Sequence, residues 1–155
     1  MTVMLSVASL AAIEQHARDT FPDECCGMVV VRGGREESLR ISNVQNQMHE
    51  KDPEQFPRDA RTAYTMGPEA APLLLAAERG EIELRAFYHS HPDHDAYFSA
   101  EDQRQAMGVW DEPSYPNAGQ IVVSIYGGEV KAVKAFAWDE TQRSFVDATL
   151  HVEAA

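Results

Sequence analysis

Leu84-Arg85-Ala86-Phe87-Tyr88-His89-Ser90-His91-Pro92, followed by Ser99 and Asp102, is the stretch on which the fold of this chain turns. Its first half is apolar and aromatic enough to be a strand. Alternate residues of a strand project to the same side, so His89 and His91 face one point together. Ser99 follows a short loop and stands where a helix N-cap would stand. Asp102 then falls in that helix's first turn. Strand end, loop and helix start converge on one site. Two imidazoles and a carboxylate suit Zn²⁺ and leave a fourth position for water, the pattern of a catalytic rather than a structural site.

A hydrolytic site also needs a base. Phe21-Pro22-Asp23-Glu24-Cys25-Cys26-Gly27 precedes the apolar run Met28-Val29-Val30-Val31. Pro22 ends a first helix, and Glu24 stands at the head of a strand expected to be central. A carboxylate there can take a proton from an activated water and deliver it to a leaving group. Other readings of the same residues remain open. Ser99-Ala100-Glu101-Asp102 also reads as a capping box, which is compatible with a ligand at Asp102. Cys25 and Cys26 are adjacent and lack zinc-finger spacing, so one is expected to face inward and one outward. His94 and Asp95 read as a loop-tip polar pair, and His16, His49 and His151 as surface residues.

The spacing His89-x-His91, seven residues, Ser99, two residues, Asp102, with Glu24 upstream, resembles the JAMM/MPN+ metalloproteases. The context Pro22, Glu24, Cys26, Gly27 is similar to the short bacterial members that act on ubiquitin-like sulfur-carrier proteins of the ThiS/MoaD type. The resemblance covers roughly residues 3–135. It implies His89, His91 and Asp102 as zinc ligands, Glu24 as general acid/base and Ser99 as a stabiliser of the oxyanion. It also implies a cytidine-deaminase-like sheet, the JAB1/MPN fold. The expected reaction is hydrolysis after a Gly-Gly terminus, with the tail lying along an exposed sheet edge and Tyr97 and Phe98 walling the cleft.

Composition narrows the alternatives. The 155 residues are 44% hydrophobic, enough for one domain over 1–155 with its own core. No apolar run is long enough for a membrane span. The N-terminus lacks the positive region of a secretion signal, and the cysteines build no disulfide framework, so a cytoplasmic setting is expected. With 25 acidic against 13 basic residues the net charge is -12, a poor match for nucleic acid or anionic lipid. A nucleoside deaminase would need His-x-Glu and a distant Pro-Cys-x-x-Cys, and neither is present. The remaining alternative to a peptidase is a non-catalytic MPN interaction scaffold, which has no physical need for three convergent ligands.

Periodicity and turn residues outline the elements. Ser6 caps a helix over about Val7–Asp19, with Val7, Leu10, Ala11 and Ile13 on its packed face. Strands are expected at 28–32, 37–41, 62–66, 82–89, 120–126, 130–138 and 144–152. Helices are expected from Pro68 to about Arg79 and from Ser99 to about Met107, with a long loop over 43–60. The fold class is α/β (α+β), a single mixed sheet flanked by helices.

Overall fold

Residues 1–154 are described by the computed structural model. In chain order the elements are β1 (Thr2–Ser6), α1 (Val7–Thr20), β2 (Cys26–Arg32), β3 (Arg35–Ile41), α2 (Gln45–Lys51), α3 (Ala70–Glu78), β4 (Glu83–Pro92), α4 (Ala100–Ala106), β5 (Gly119–Tyr126), β6 (Glu129–Asp139) and β7 (Ser144–Glu153). The strands form one mixed sheet of seven, in the order β1-β7-β6-β5-β4-β2-β3. Pairing is parallel at β1–β7 and β4–β5 and antiparallel elsewhere.

The sheet separates two apolar layers, because successive side chains of a strand point to opposite faces. One layer joins Ile13 and Ala17 of α1 to Val29 of β2, Tyr88 of β4 and Ile121, Val123 and Ile125 of β5. The other sets Met28 and Val30 of β2 against Ala70, Leu73 and Leu74 of α3. The stripe that α1 buries is Ser9, Ile13, His16 and Ala17. Val7 and Ala11 are exposed, contrary to the periodicity reading. The reason is Glu36 on β3, whose Oε2 accepts from the Ser6 amide at 2.8 Å and the Ser9 hydroxyl at 2.6 Å. That contact rotates Ser9 rather than Val7 toward the sheet.

Several elements differ from the expectation. Thr2–Ser6 is a strand, paired with β7 at the far end of the chain. Within 43–60 the polar segment Gln45–Lys51 forms α2, which buries Gln45 alone. Residues 62–66 contribute an isolated bridge, Asn43 to Met66, rather than a strand. Pro68 lies in the turn before α3, and Gly80, at φ 74°, ends the helix in the left-handed region where glycine is unstrained. β2 is second from the sheet edge, not central. Cys25 and Cys26 are both buried, on opposite faces of the sheet. His16 is buried too, and its Nδ1 lies 2.6 Å from the Tyr88 hydroxyl.

Gly27 cannot carry a side chain, because an added Cβ would lie 2.3 Å from the Tyr88 ring. Tyr88 thus packs directly over the β2 backbone, which holds β4 in register one residue before His89. No helix among the described residues is long and apolar enough to cross a membrane.

Candidate metal centre

His89, His91 and Asp102 converge as their spacing requires, and all three are buried. β4 brings the two imidazoles to the same face. Their Nε2 atoms are 3.2 Å apart. α4 supplies the carboxylate: Oδ1 lies 3.0 Å from His89 Nε2 and Oδ2 lies 3.0 Å from His91 Nε2. Burial opposes ionisation of Asp102, but positive charge on the two facing rings outweighs it and, when they are protonated, holds the carboxyl well below the usual carboxylate range.

The hydrogen bonds around the cluster favour a shared cation. The Asp95 carbonyl can only accept, so its 2.8 Å contact with His91 Nδ1 places the ring proton on Nδ1. In the neutral ring the Nε2 lone pair then faces the Asp102 carboxylate, acceptor against acceptor. A cation between them resolves the conflict. Tetrahedral coordination with bonds of about 2.0–2.1 Å sets ligand atoms roughly 3.3 Å apart, close to the separations found here. The donor set therefore fits a divalent metal ion. His89 stacks on Tyr64, with ring centroids 4.7 Å apart, and its buried Nδ1 has no partner among the described residues. Only His91 has the outer-shell acceptor usual for a ligating imidazole.

Ser99 caps α4 and closes a reciprocal pair with Asp102. Its Oγ accepts from the Asp102 amide at 3.0 Å, and its own amide donates to Asp102 Oδ2 at 3.0 Å. The capping box thereby orients the Asp102 carboxylate. The Ser99 hydroxyl proton has no acceptor among the described residues, and the side chain borders the open cavity.

Glu24 opens onto that same cavity of about 320 Å³, together with His91, Asp102 and Ser99. It is buried, and its Oε1 has no hydrogen-bond partner among the described residues. Burial, reinforced by the charge of Asp102 and opposed by Arg58, raises its carboxyl pKa well above the ordinary value. The Glu24 backbone is fixed from three directions. Its amide donates to the Ala60 carbonyl at 2.7 Å, and its carbonyl accepts from Asn43 Nδ2 at 2.9 Å. The third fixture is Ser90, between the two histidines but pointing to the other face, whose Oγ accepts from the Cys25 amide at 2.8 Å.

Sequence reasoning missed Ser90, Asn43, Tyr64 and Arg58 as parts of the site. Three of them sit in or beside the segment read as loop, where no periodicity marks them. Tyr97 lines the cavity, edge-on to the His91 ring at 5.2 Å between centroids. Phe98 does not; it packs against Phe136 and Phe145. Nor is there a free sheet edge beside the ligands, since β4 is flanked by β2 and β5 and the edge strands are β1 and β3. Burial pushes the Cys25 thiol up to about 12 and raises Cys26 as well, which leaves neither available as a thiolate.

The fold has solved counterparts. A protein of Desulfitobacterium hafniense superposes with a TM-score of 0.68 at 19% identity, covering 100% of this chain and 94% of that one. A protein of Salinibacter ruber gives 0.60 at 26% identity, over 96% and 90%. A JAB1/MPN domain protein of Archaeoglobus fulgidus gives 0.51 at 15% identity, over 96% and 98%. No curated protein matches the chain. The sequence pattern of the prokaryotic homologs of the JAB domain matches residues 6–141. The chain belongs to that family.

Proposed function

We propose that the protein is a zinc metallopeptidase or isopeptidase that hydrolyses the bond after the C-terminal Gly-Gly of a small ubiquitin-like protein of the ThiS/MoaD type. The observation that carries this reading is Glu24, a buried carboxyl with an unpartnered oxygen that shares one cavity with His91 and Asp102. A non-catalytic scaffold gives no reason to bury such a group, whose desolvation is costly.

His89, His91 and Asp102 would hold the zinc, whose chemistry is to make a water nucleophilic near neutral pH and to polarise a carbonyl. Glu24 takes a proton from the attacking water as its oxygen adds to the scissile carbonyl carbon. It returns that proton to the nitrogen as the C–N bond breaks, giving a Gly-Gly carboxyl group, which then ionises to solvent, and a free amine. Ser99 donates its hydroxyl proton to the oxygen that gains charge. The scissile bond lies in the cavity that the Arg58–Thr62 segment and the His94–Tyr97 loop line. Small residues at the cut fit there because Tyr97 stands over His91.

The test is a β-grasp carrier protein extended beyond its Gly-Gly, incubated with the zinc-loaded protein and read by intact mass. Release of the extension, stopped by a chelator, is the expected result. An intact extension overturns the reading.

A further inference from the structure

Arg58 is the only arginine or lysine among the residues that line the metal-side cavity, and it also borders the adjoining cavity of about 620 Å³. Its backbone is held by a group with no other evident purpose. Gln45, buried on α2, donates its Nε2 to the Arg58 carbonyl at 2.9 Å, and its Oε1 accepts from Thr65 Oγ1 at 2.7 Å. Two residues on, the Ala60 amide donates to Asn46 Oδ1 at 2.8 Å and the Ala60 carbonyl receives the Glu24 amide. Both helical anchors come from α2, the element that packs almost nothing apolar. The purpose of α2 is thus to fix the Arg58–Ala60 segment against Glu24.

The guanidinium itself has donors to spare. It makes one hydrogen bond among the described residues, Nη1 to the Thr62 carbonyl at 3.4 Å, and no carboxylate lies within ion-pair distance. Glu24 and Asp102, the carboxyl-bearing groups that line the cavity, attract no anion, so beside a metal ion held there Arg58 is the lining side chain that does. Glu24 is the group that delivers a proton to the leaving nitrogen, and Arg58 is anchored on the Glu24 side. Arg58 and Glu24 thus line the same cavity from adjoining, mutually anchored segments.

We propose that Arg58 is a specificity-determining residue that binds the α-carboxylate of a single amino acid joined to the carrier's Gly-Gly, a contact that an isopeptide to a lysine side chain of a folded protein cannot make. A guanidinium presents paired donors that match a carboxylate in its plane, and a lysine linkage offers no carboxylate at that place. This inference rests on the hydrolase reading above.

The experiment uses a tail peptide extended past Gly-Gly by one alanine, as free acid and as carboxamide. Affinity is measured by calorimetry on the zinc-loaded protein in the Glu24→Gln background, which keeps the peptide whole, and cleavage is followed separately with wild-type Glu24. The free acid should bind about 10-fold tighter than the amide, the usual scale of one charge-assisted contact. Arg58→Ala should bring that ratio to about one, and Arg58→Lys should leave it in between. A ratio of one with Arg58 present, or a ratio unchanged in Arg58→Ala, overturns the proposal. An Arg58-dependent ratio with no cleavage of either peptide counts against the hydrolase reading alone. Cleavage with no preference for the acid counts against Arg58 alone.

Discussion

The hydroxyl of Ser90 accepts a hydrogen bond from the amide of Cys25 at 2.8 Å, and the Ser90 amide donates back to the Cys25 carbonyl at 3.1 Å. This reciprocal pair carries the β2–β4 pairing one residue ahead of the start of β2. It ties the strand bearing both imidazoles to the residue next to Glu24. Ser90→Ala should cost about 1–2 kcal/mol in urea unfolding, because a buried amide loses its acceptor. It should also lower the rate of hydrolysis more than it lowers zinc content. A variant that loses zinc and rate in parallel would contradict this positioning role.

Glu24→Gln keeps the shape and hydrogen-bonding size of the side chain but removes its ability to carry a proton. Hydrolysis should fall by roughly 10²–10⁴-fold, the usual share of general acid/base catalysis. Single-turnover rates on the extended carrier check this. A variant within a few-fold of wild type would exclude Glu24 as the base.

Ser99→Ala removes the N-cap of α4 and half of the capping box that orients Asp102. About 1 kcal/mol of stability should go with the cap. If the hydroxyl also meets developing negative charge, the rate should drop roughly 10²-fold or more. Thermal unfolding and rate measured on the same variant separate the two contributions. A stability loss with an unchanged rate would reduce Ser99 to a cap.

His16 offers a pH test away from the metal. Burial, aided by the charge of Arg40, lowers its pKa to about 4. The neutral ring accepts from the Tyr88 hydroxyl. An unfolded histidine binds its proton near pH ~6.5, well above the folded value. Folding stability tied to His16 is therefore fully present above that pH, is lost as the pH falls from about 6.5 toward about 4, and levels off below. Allowing for solvent screening, the loss is about 2 kcal/mol. Urea midpoints of metal-free wild type and His16→Gln across this range give the difference. Parallel curves would show that His16 carries no such linkage.

Much of the site was legible because its chemistry is local. His89 and His91 sit at i and i+2 of a strand, and Ser99 and Asp102 sit at the N-cap and N3 of a helix, so short-range geometry alone brings these side chains together. Glu24 was legible as a carboxylate at a strand head, but its role gained weight only from the resemblance to a family pattern, since its approach to the cluster runs through pairing of β2 with β4. The rest lies in long-range contacts that leave no periodic trace. β1 is read as a strand only once β7 is beside it, and α2 is held by Gln45, Asn46 and Asn43 rather than by an apolar stripe. His16 reads as a surface residue by type, yet Tyr88 provides a buried partner seventy-two residues away.

The zinc content of purified protein, with wild type, Glu24→Gln and His91→Ala compared by elemental analysis, tests the central claim most directly. The account predicts about one zinc per chain in wild type and in Glu24→Gln, and almost none in His91→Ala, because His91 supplies one of three protein ligands. Equal zinc in wild type and His91→Ala would contradict the assignment of the centre, and loss of zinc in Glu24→Gln would make Glu24 a ligand rather than the base.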